Sequence, residues 1–293
     1  LPKIIKKKII EDIKNITKKK KFKNINFNKS LLIMGVLNLT PDSFSDGGKY
    51  LKKNLAYKHF KKLVNNGSDI IDIGAESTRP GSKTVNENIE LNRLLPIFKK
   101  LKKFNHNVSL DTRKSWIMKL GIKFGVKLIN DVSGFRHDSN SIKVLKKSKI
   151  PFVIHHMLKN PSIMQRNPKY NNVLLDIYDF FEKKLNYLKS QGIRHSNIIL
   201  DPGIGFGKNL KHNITLISNI SVFHSLGFPL MLGISRKKFI KDISTVNDSK
   251  NRIGGTIAAS LYSIMQGVQM LRVHDVNEVR QAIKVFNKFK LNI

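Results

Sequence analysis

From residue 31 onward the chain alternates between short unbroken apolar runs and longer stretches in which apolar residues recur every three or four positions. The short runs read as strands buried on both faces, the longer ones as amphipathic helices. Leu31–Leu37 is the first strand and ends at Asn38; the polar loop LTPDSFSDGG follows, then a helix over Leu51–Val64. Strand Asp69–Ile73 runs into GAESTRPG and helix Asn86–Phe104; strand Val108–Leu110 ends at Asp111 before helix Ser115–Phe124. Lys127–Ile129 runs into Asn130 and Asp131, and Pro151–Ile154 into His155 and His156. A long loop and helix Val173–Gln191 lead to strand Ile198–Leu200, which ends at Asp201, and helix Leu210–Leu226 follows. Pro229–Gly233 precedes Ser235, Arg236 and Lys237; then come helix Gly254–Gln266, strand Met270–Val273 and helix Val276–Phe289.

Eight such units in about 260 residues outline a single α/β domain of the (β/α)8 TIM-type barrel class. An open doubly wound sheet is the alternative, but it usually has fewer strands and does not require a polar residue at each strand end. Here the ends carry Asn38, Thr78, Asp111, Asn130, His156, Asp201, Lys237 and His274. A closed barrel gathers all of them at its C-terminal face, where active sites of this fold lie. Residues 31–293 therefore read as one catalytic domain. Residues 1–30, where Lys and Glu break every apolar pair, are expected to form a basic, solvated or weakly helical lead-in and not a secretory signal.

Composition changes this picture little. Hydrophobic residues make up 40% of the 293, enough for a proper core, and Lys plus Arg outnumber Asp plus Glu by 54 to 20, a net charge of +34. Such a charge suggests nucleic acid, yet the lysines are spread over nearly every helix and loop, with no basic stripe interleaved with aromatics. A specific nucleic-acid partner is not expected; a small anionic substrate would be steered inward by the field. There is no cysteine, which excludes disulfides and thiolate metal sites and fits a cytoplasmic location. No apolar run reaches the roughly 18–20 residues of a membrane span, so no membrane association is expected.

Chemistry concentrates around IILDPGIGFGK, residues 198–208. The Asp201 carboxylate at the strand end can accept two parallel N–H bonds from an amino-pyrimidine or guanidine edge. Gly203, Gly205 and Gly207 let the backbone turn sharply and approach a ligand, and Phe206 offers a flat apolar wall. Read alone, this is also compatible with an ordinary Gly-rich turn. His155 and His156 invite a zinc reading, but adjacent strand residues face opposite ways and do not readily share one metal.

Seven segments taken together are more specific: MGVLNLTPDSFSDGG (34–48), DIGAESTRPG (72–81), SLDTRK (109–114), INDVSG (129–134), ILDPGIGFGKN (199–209), GISRKKFI (233–240) and LRVHDV (271–276). Their order and content resemble the motif set of the bacterial dihydropteroate synthases over about residues 31–290. The resemblance implies a barrel transferase of folate biosynthesis. Such an enzyme joins 6-hydroxymethyl-7,8-dihydropterin pyrophosphate to 4-aminobenzoate, releasing pyrophosphate, as a homodimer with Mg²⁺ as cofactor.

By the same resemblance Asp111, Asn130, Met157, Asp201, Lys237 and Arg272 are the expected pterin contacts. Asn38 is the expected metal ligand. Pyrophosphate falls to Asn38, Ser77, Thr78, Arg272 and His274, the last two on one face of the last strand. The aminobenzoate site is expected to comprise Phe44, Arg79, Pro80, Phe206, Lys237 and Lys238, and the catalytic group Asp111, Lys237, Arg272 and His274. Lys238 departs from the small polar residue frequent there in the family, and the basic lead-in has no counterpart. A methyltetrahydrofolate-dependent methyltransferase would share the Asp–Asn–Asp floor, but has no use for the RVH and TRPG segments.

Overall fold

A computed structural model describes residues 2–290 except 19, 21, 23, 24, 26, 28–30, 41–48, 78–80 and 83; for 49–54, 195 and 290 it describes the backbone only. Helix α1 (Lys3–Thr17) is followed by strand β1 (Leu32–Asn38), α2 (Lys49–Asn65), β2 (Ile70–Gly74), α3 (Glu87–Leu101), β3 (Asn107–Asp111) and α4 (Ser115–Phe124). Then come β4 (Leu128–Asp131), α5 (Ser141–Ser148), β5 (Phe152–His155), α6 (Val173–Ser190), β6 (Ile198–Asp201) and α7 (Leu210–Ser218). Strand β7 (Met231–Leu232), α8 (Lys238–Ser244), α9 (Ile253–Met265), β8 (Met270–Val273) and α10 (Val276–Lys290) complete the chain.

All strand pairs are parallel, in the order β6-β5-β4-β3-β2-β1-β8-β7. The ends of that series meet in a parallel bridge between Leu200 and Leu230, with the Leu200 N–H donating to the Pro229 carbonyl at 2.9 Å, so the sheet closes into the expected barrel. The sequence reading missed the short helices α5 and α8. It also ran α7 on to Leu226, where the chain instead tightens into a 3₁₀ turn over Ile220–Leu226 and stops at Gly227, φ 80°.

Side chains alternate along each strand. One set, including Ile33, Leu37, Ile71, Ile73 and Leu110, packs outward against the helices. The other set fills the barrel's N-terminal half with Met34, Ile70, Leu128, Val153, Ile199, Met231 and Met270. Phe22, Ile25 and Phe27 belong to this interior cluster. The lead-in is therefore not simply solvated: α1 is exposed along most of its length, but Asn15 donates to the Ser225 carbonyl at 2.9 Å, and Phe22, Ile25 and Phe27 plug the barrel floor. Phe22 and Phe27 meet edge to face at 4.9 Å. Three unperiodic apolar residues among lysines and asparagines carried no helix or strand signal, which is why this role escaped the sequence reading.

Candidate active site

The inward-facing positions change from apolar to polar in the upper half of the barrel. Cα pairing places Asn38 beside Gly74, Gly74 beside Asp111, and Asp111 beside Asn130, a row across β1–β4. On the other wall His155 pairs with Asp201. Asp72, one inward step below Gly74, and Arg272, one above Met270, complete the floor. Gly74 and Gly233 project no side chain into this space, which leaves room above the floor for a ligand.

Arg272 holds the floor together. Its Nε donates to Asp72 Oδ2 at 2.7 Å and its Nη2 to Asp111 Oδ2 at 3.1 Å. Asn130 Nδ2 donates to the same Asp72 oxygen at 3.0 Å. One guanidinium thus serves two buried carboxylates. Burial, then the like charge of Asp72, pushes Asp111 up to about 8 although Arg272 opposes the shift. Asp72 Oδ1 and Asn130 Oδ1 are buried acceptors with no hydrogen-bond partner. A ligand edge rich in N–H groups is the chemistry that satisfies such a floor.

The loop after β6 forms the adjacent wall. The Gly203 N–H donates to Asp201 Oδ1 at 2.8 Å, and a Cβ on Gly203 would lie 1.9 Å from the His156 carbonyl oxygen at a φ of 72°, so only glycine fits. Lys237 donates to the Ile204 carbonyl, and its ammonium lies 4.3 Å from the centre of the Phe206 ring. Burial lowers Lys237 to about 7, Arg272 adding to the effect and Asp201 opposing it. His274 is fixed by Ser235, whose hydroxyl accepts from the His274 backbone N–H at 3.2 Å and lies 3.1 Å from Nδ1. Beside it Arg236, at a φ of 61°, makes a two-pronged ion pair with Asp275 that ties the β7 and β8 exits together.

Asp111, Asn130, Asp201 and Arg272 therefore meet in one mouth with Lys237 and Phe206, as the motifs predict. Met157 is buried just beyond β5, where its carbonyl accepts from Arg136. Ser77 lies in the loop after β2. Phe44, Thr78, Arg79 and Pro80 lie outside the described residues. Lys238 does not join the cluster: it opens α8, its side chain is 79% exposed, and its ammonium pairs with Asp242 one helical turn on at 2.8 Å. At the end of β5, His156 faces α6, its ring 4.9 Å from that of Phe180, and His155 is the inward residue. The pair does face opposite ways, and no group of three or more potential metal-binding His, Asp or Glu occurs among the described residues.

Two features escaped the sequence reading. Asp72 is wholly buried within a strand of isoleucines, and that incongruity was its only signal. Behind the mouth lies a buried four-charge cluster, in which Glu76 pairs with Arg113 at 2.8 Å and Lys114 at 3.2 Å, and Lys114 also pairs with Glu90. Burial would raise Glu76, but Arg113, the Val85 N–H and Lys114 prevail and hold it below its usual range. Because Glu76 Oε1 accepts from Val85 N at 2.8 Å, this carboxylate ties together the residues on either side of the TRPG segment.

The fold and this mouth define a barrel whose buried acceptors suit a compact, donor-rich heterocycle. Comparison with known proteins gives the same class: the family model described as pterin binding enzyme matches residues 34–274. A dihydropteroate synthase from Clostridium beijerinckii is 41% identical over 265 residues, covering 90% of this chain and 96% of that relative. Two crystal structures of the Xanthomonas albilineans dihydropteroate synthase each cover 91% of this chain and 95% of theirs. The one with 4-aminobenzoic acid superposes with a TM-score of 0.85 at 31% identity. The one in complex with 7,8-dihydropteroate gives 0.82 at 29%. The chain belongs to the pterin-binding enzymes and, among them, to the dihydropteroate synthase family. It is a transferase that condenses 6-hydroxymethyl-7,8-dihydropterin pyrophosphate with 4-aminobenzoate to give 7,8-dihydropteroate and pyrophosphate.

Proposed function

We propose that this mouth carries out the condensation as a dissociative substitution at the pterin methylene. The supporting observation is the Arg272 bridge between Asp72 and Asp111, with Asn130 and Asp201 on the same floor. The pterin lies with its N–H-rich edge on Asp111, Asn130 and Asp201, and Met157 adds apolar contact. Its donors reach Asp111, which otherwise shares one guanidinium with Asp72, so binding draws Asp111 towards its ionised form. The carboxylate then faces the cation that develops as the methylene–oxygen bond breaks. Arg272 and His274 receive the departing pyrophosphate, with Ser77 and Thr78 supplying hydroxyls. Lys237 lies beside Phe206 at the edge of the pterin floor, and the resemblance adds Phe44, Arg79 and Pro80 to the aminobenzoate contacts. The aniline nitrogen is neutral at pH 7 and attacks without a strong base. Holding both partners in line contributes at most roughly 7–11 kcal/mol.

Mg²⁺ fits Asn38. Mg²⁺ prefers oxygen and takes one or two protein groups together with substrate phosphates and water. Asn38 offers an amide oxygen at the β1 exit, and the described residues contain no carboxylate cage that would favour a resident ion. When bound, the ion neutralises charge on the pyrophosphate.

A homodimer is supported by the inverted pattern of α9: Thr256, Ser260 and Ser263 point inward, while Tyr262 and Met265 are 42% and 69% exposed. No helix among the described residues is long and apolar enough to cross a membrane; we place the enzyme in the cytoplasm, with no specific nucleic-acid partner.

The test mixes purified protein, Mg²⁺, the pterin pyrophosphate and 4-aminobenzoate. Release of pyrophosphate together with dihydropteroate, only when both organic substrates are present, is the expected result. Release from the pterin alone, without dihydropteroate, would overturn the reading.

A further inference from the structure

The mechanism above leaves His155 without a role, although it points into the mouth and is 3% exposed. Its Nδ1 lies 3.1 Å from the Val132 carbonyl oxygen. A carbonyl only accepts, so Nδ1 carries the ring proton. In a neutral imidazole Nε2 is then an acceptor. Burial and the nearby Lys237 and Lys208 ammonium groups hold the His155 pKa well below its usual range, which keeps the ring neutral. Nε2 stands 4.0 Å from Asp201 Oδ2, too far for a hydrogen bond between them, so the two acceptors flank one position without bonding each other. Asp201 Oδ1 is already occupied by the Gly203 N–H, so Oδ2 is the oxygen left for a ligand. The edge of the ring is also fixed, 4.5 Å from Phe206 at an interplanar angle of 82°.

We infer that His155 is a substrate-reading residue, its Nε2 and Asp201 Oδ2 forming a two-acceptor clamp for a single amino group on the pyrimidine edge of the pterin. Two acceptors at this spacing can both lie about 2.9 Å from one nitrogen, close to the ordinary hydrogen-bond length. A primary amino group satisfies this because its two hydrogens diverge. A carbonyl in the same position would set a third lone pair against the other two and is rejected. The clamp thus discriminates an amino-substituted ring from its oxo counterpart at one position. This inference rests on the placement of the pterin on the Asp201 floor proposed above.

The test measures binding of 6-hydroxymethylpterin, and of its analogue lacking the exocyclic amino group, by calorimetry. The proteins compared are the native enzyme, His155→Leu and His155→Gln, each checked for native circular dichroism and melting. The Leu variant removes the acceptor at similar volume, and the Gln variant restores a side-chain oxygen. Loss of one buried hydrogen bond predicts about tenfold weaker pterin binding for His155→Leu. The deamino analogue is expected to bind both proteins alike, and the Gln variant to recover part of the loss. Equal pterin affinity in the native and Leu proteins, or an equal loss for both ligands, would overturn the clamp. Absence of dihydropteroate formation by the native enzyme would instead refute the broader reading.

Discussion

Asp72 and Arg272 stand 200 positions apart in the chain and are joined by a 2.7 Å hydrogen bond inside the barrel mouth. Asp72 is wholly buried and also accepts from Asn130, so it fixes two of the groups assigned to the pterin without being assigned to the ligand itself. Removing its charge leaves a partly buried guanidinium with one carboxylate instead of two. Breaking a buried pair costs roughly 3–5 kcal/mol when nothing relaxes, and relaxation here means Arg272 swinging towards solvent. Asp72→Asn is therefore expected to lower kcat/KM for the pterin substrate by about 10²-fold, the scale of a misplaced positioning group, and to lower the melting temperature. The KM for 4-aminobenzoate should change little. Steady-state kinetics with each substrate varied in turn would check this; unchanged pterin kinetics would mean that Arg272 is held by Asp111 alone.

Asp111 gives a pH-dependent counterpart. Burial and Asp72 raise its carboxyl from 3.8 to about 8, against the pull of Arg272. The folded state holds a proton that the unfolded chain releases. The associated stability is therefore full below about pH 4, declines as pH rises, and is gone above about pH 8. Asp111→Asn removes the titrating group while keeping its shape. The variant should be inactive yet, at about pH 8.5, more stable than the native enzyme by about 1–2 kcal/mol, a usual size for a stabilising substitution. At about pH 5 the gap should narrow, because the native carboxyl is then protonated as well. Urea unfolding midpoints at the two pH values measure both numbers.

These two residues also show what the sequence reveals and what it hides. The barrel was legible because its strands are unbroken apolar runs separated by helical periodicity. Asp111, Asn130 and Asp201 were legible because each terminates such a run. Asp72 was not, because it sits inside a strand, and only closure of the barrel shows that its inward position meets β8. His155 and His156 are indistinguishable as neighbours in a sequence; the strand pleat turns one to the mouth and the other to α6. The resemblance puts Lys238 in the aminobenzoate site, yet the chain becomes helical there and carries its side chain outward. Likewise Phe22, Ile25 and Phe27 follow no period, since a plug packs by shape and not by repeat.

Lys237 should report ligand binding through protons. Burial, with Arg272 adding to it, holds the amine at about 7, so the free enzyme is about half protonated at neutral pH. An anionic substrate group beside it favours the ammonium form. Binding at about pH 8 is then accompanied by uptake of close to one proton, falling to about half a proton near pH 7. Calorimetric titration with 4-aminobenzoate and pyrophosphate in two buffers of different ionisation enthalpy gives this number directly. Lys237→Ala should abolish the uptake along with turnover. The same heat in both buffers for the native enzyme would show that Lys237 does not sense the ligand.

The barrel's opposite end supplies a separate test, because plug and mouth are far apart along the strands. Phe22 and Phe27 are 4% and 6% exposed and pack against the lowest ring of inward side chains, whereas Ile4 and Ile10 on α1 are 83% and 67% exposed. Truncating a buried phenylalanine removes its apolar surface from the core and leaves a cavity, at a cost of about 3–5 kcal/mol. An exposed isoleucine has little burial to lose, so its replacement stays within about 0.5 kcal/mol. Phe27→Ala should accordingly shift the urea midpoint far below that of the native protein, and a paired Ile4→Ser and Ile10→Ser variant should not. Because the mouth is built from β-strand ends at the other face, Phe27→Ala measured well below its melting temperature should keep a kcat within about twofold of native, no more than about 0.4 kcal/mol in barrier height. A stable Phe27→Ala protein would show that the floor is closed by the strand residues alone. A folded but inactive one would show that the plug is coupled to the site through the core.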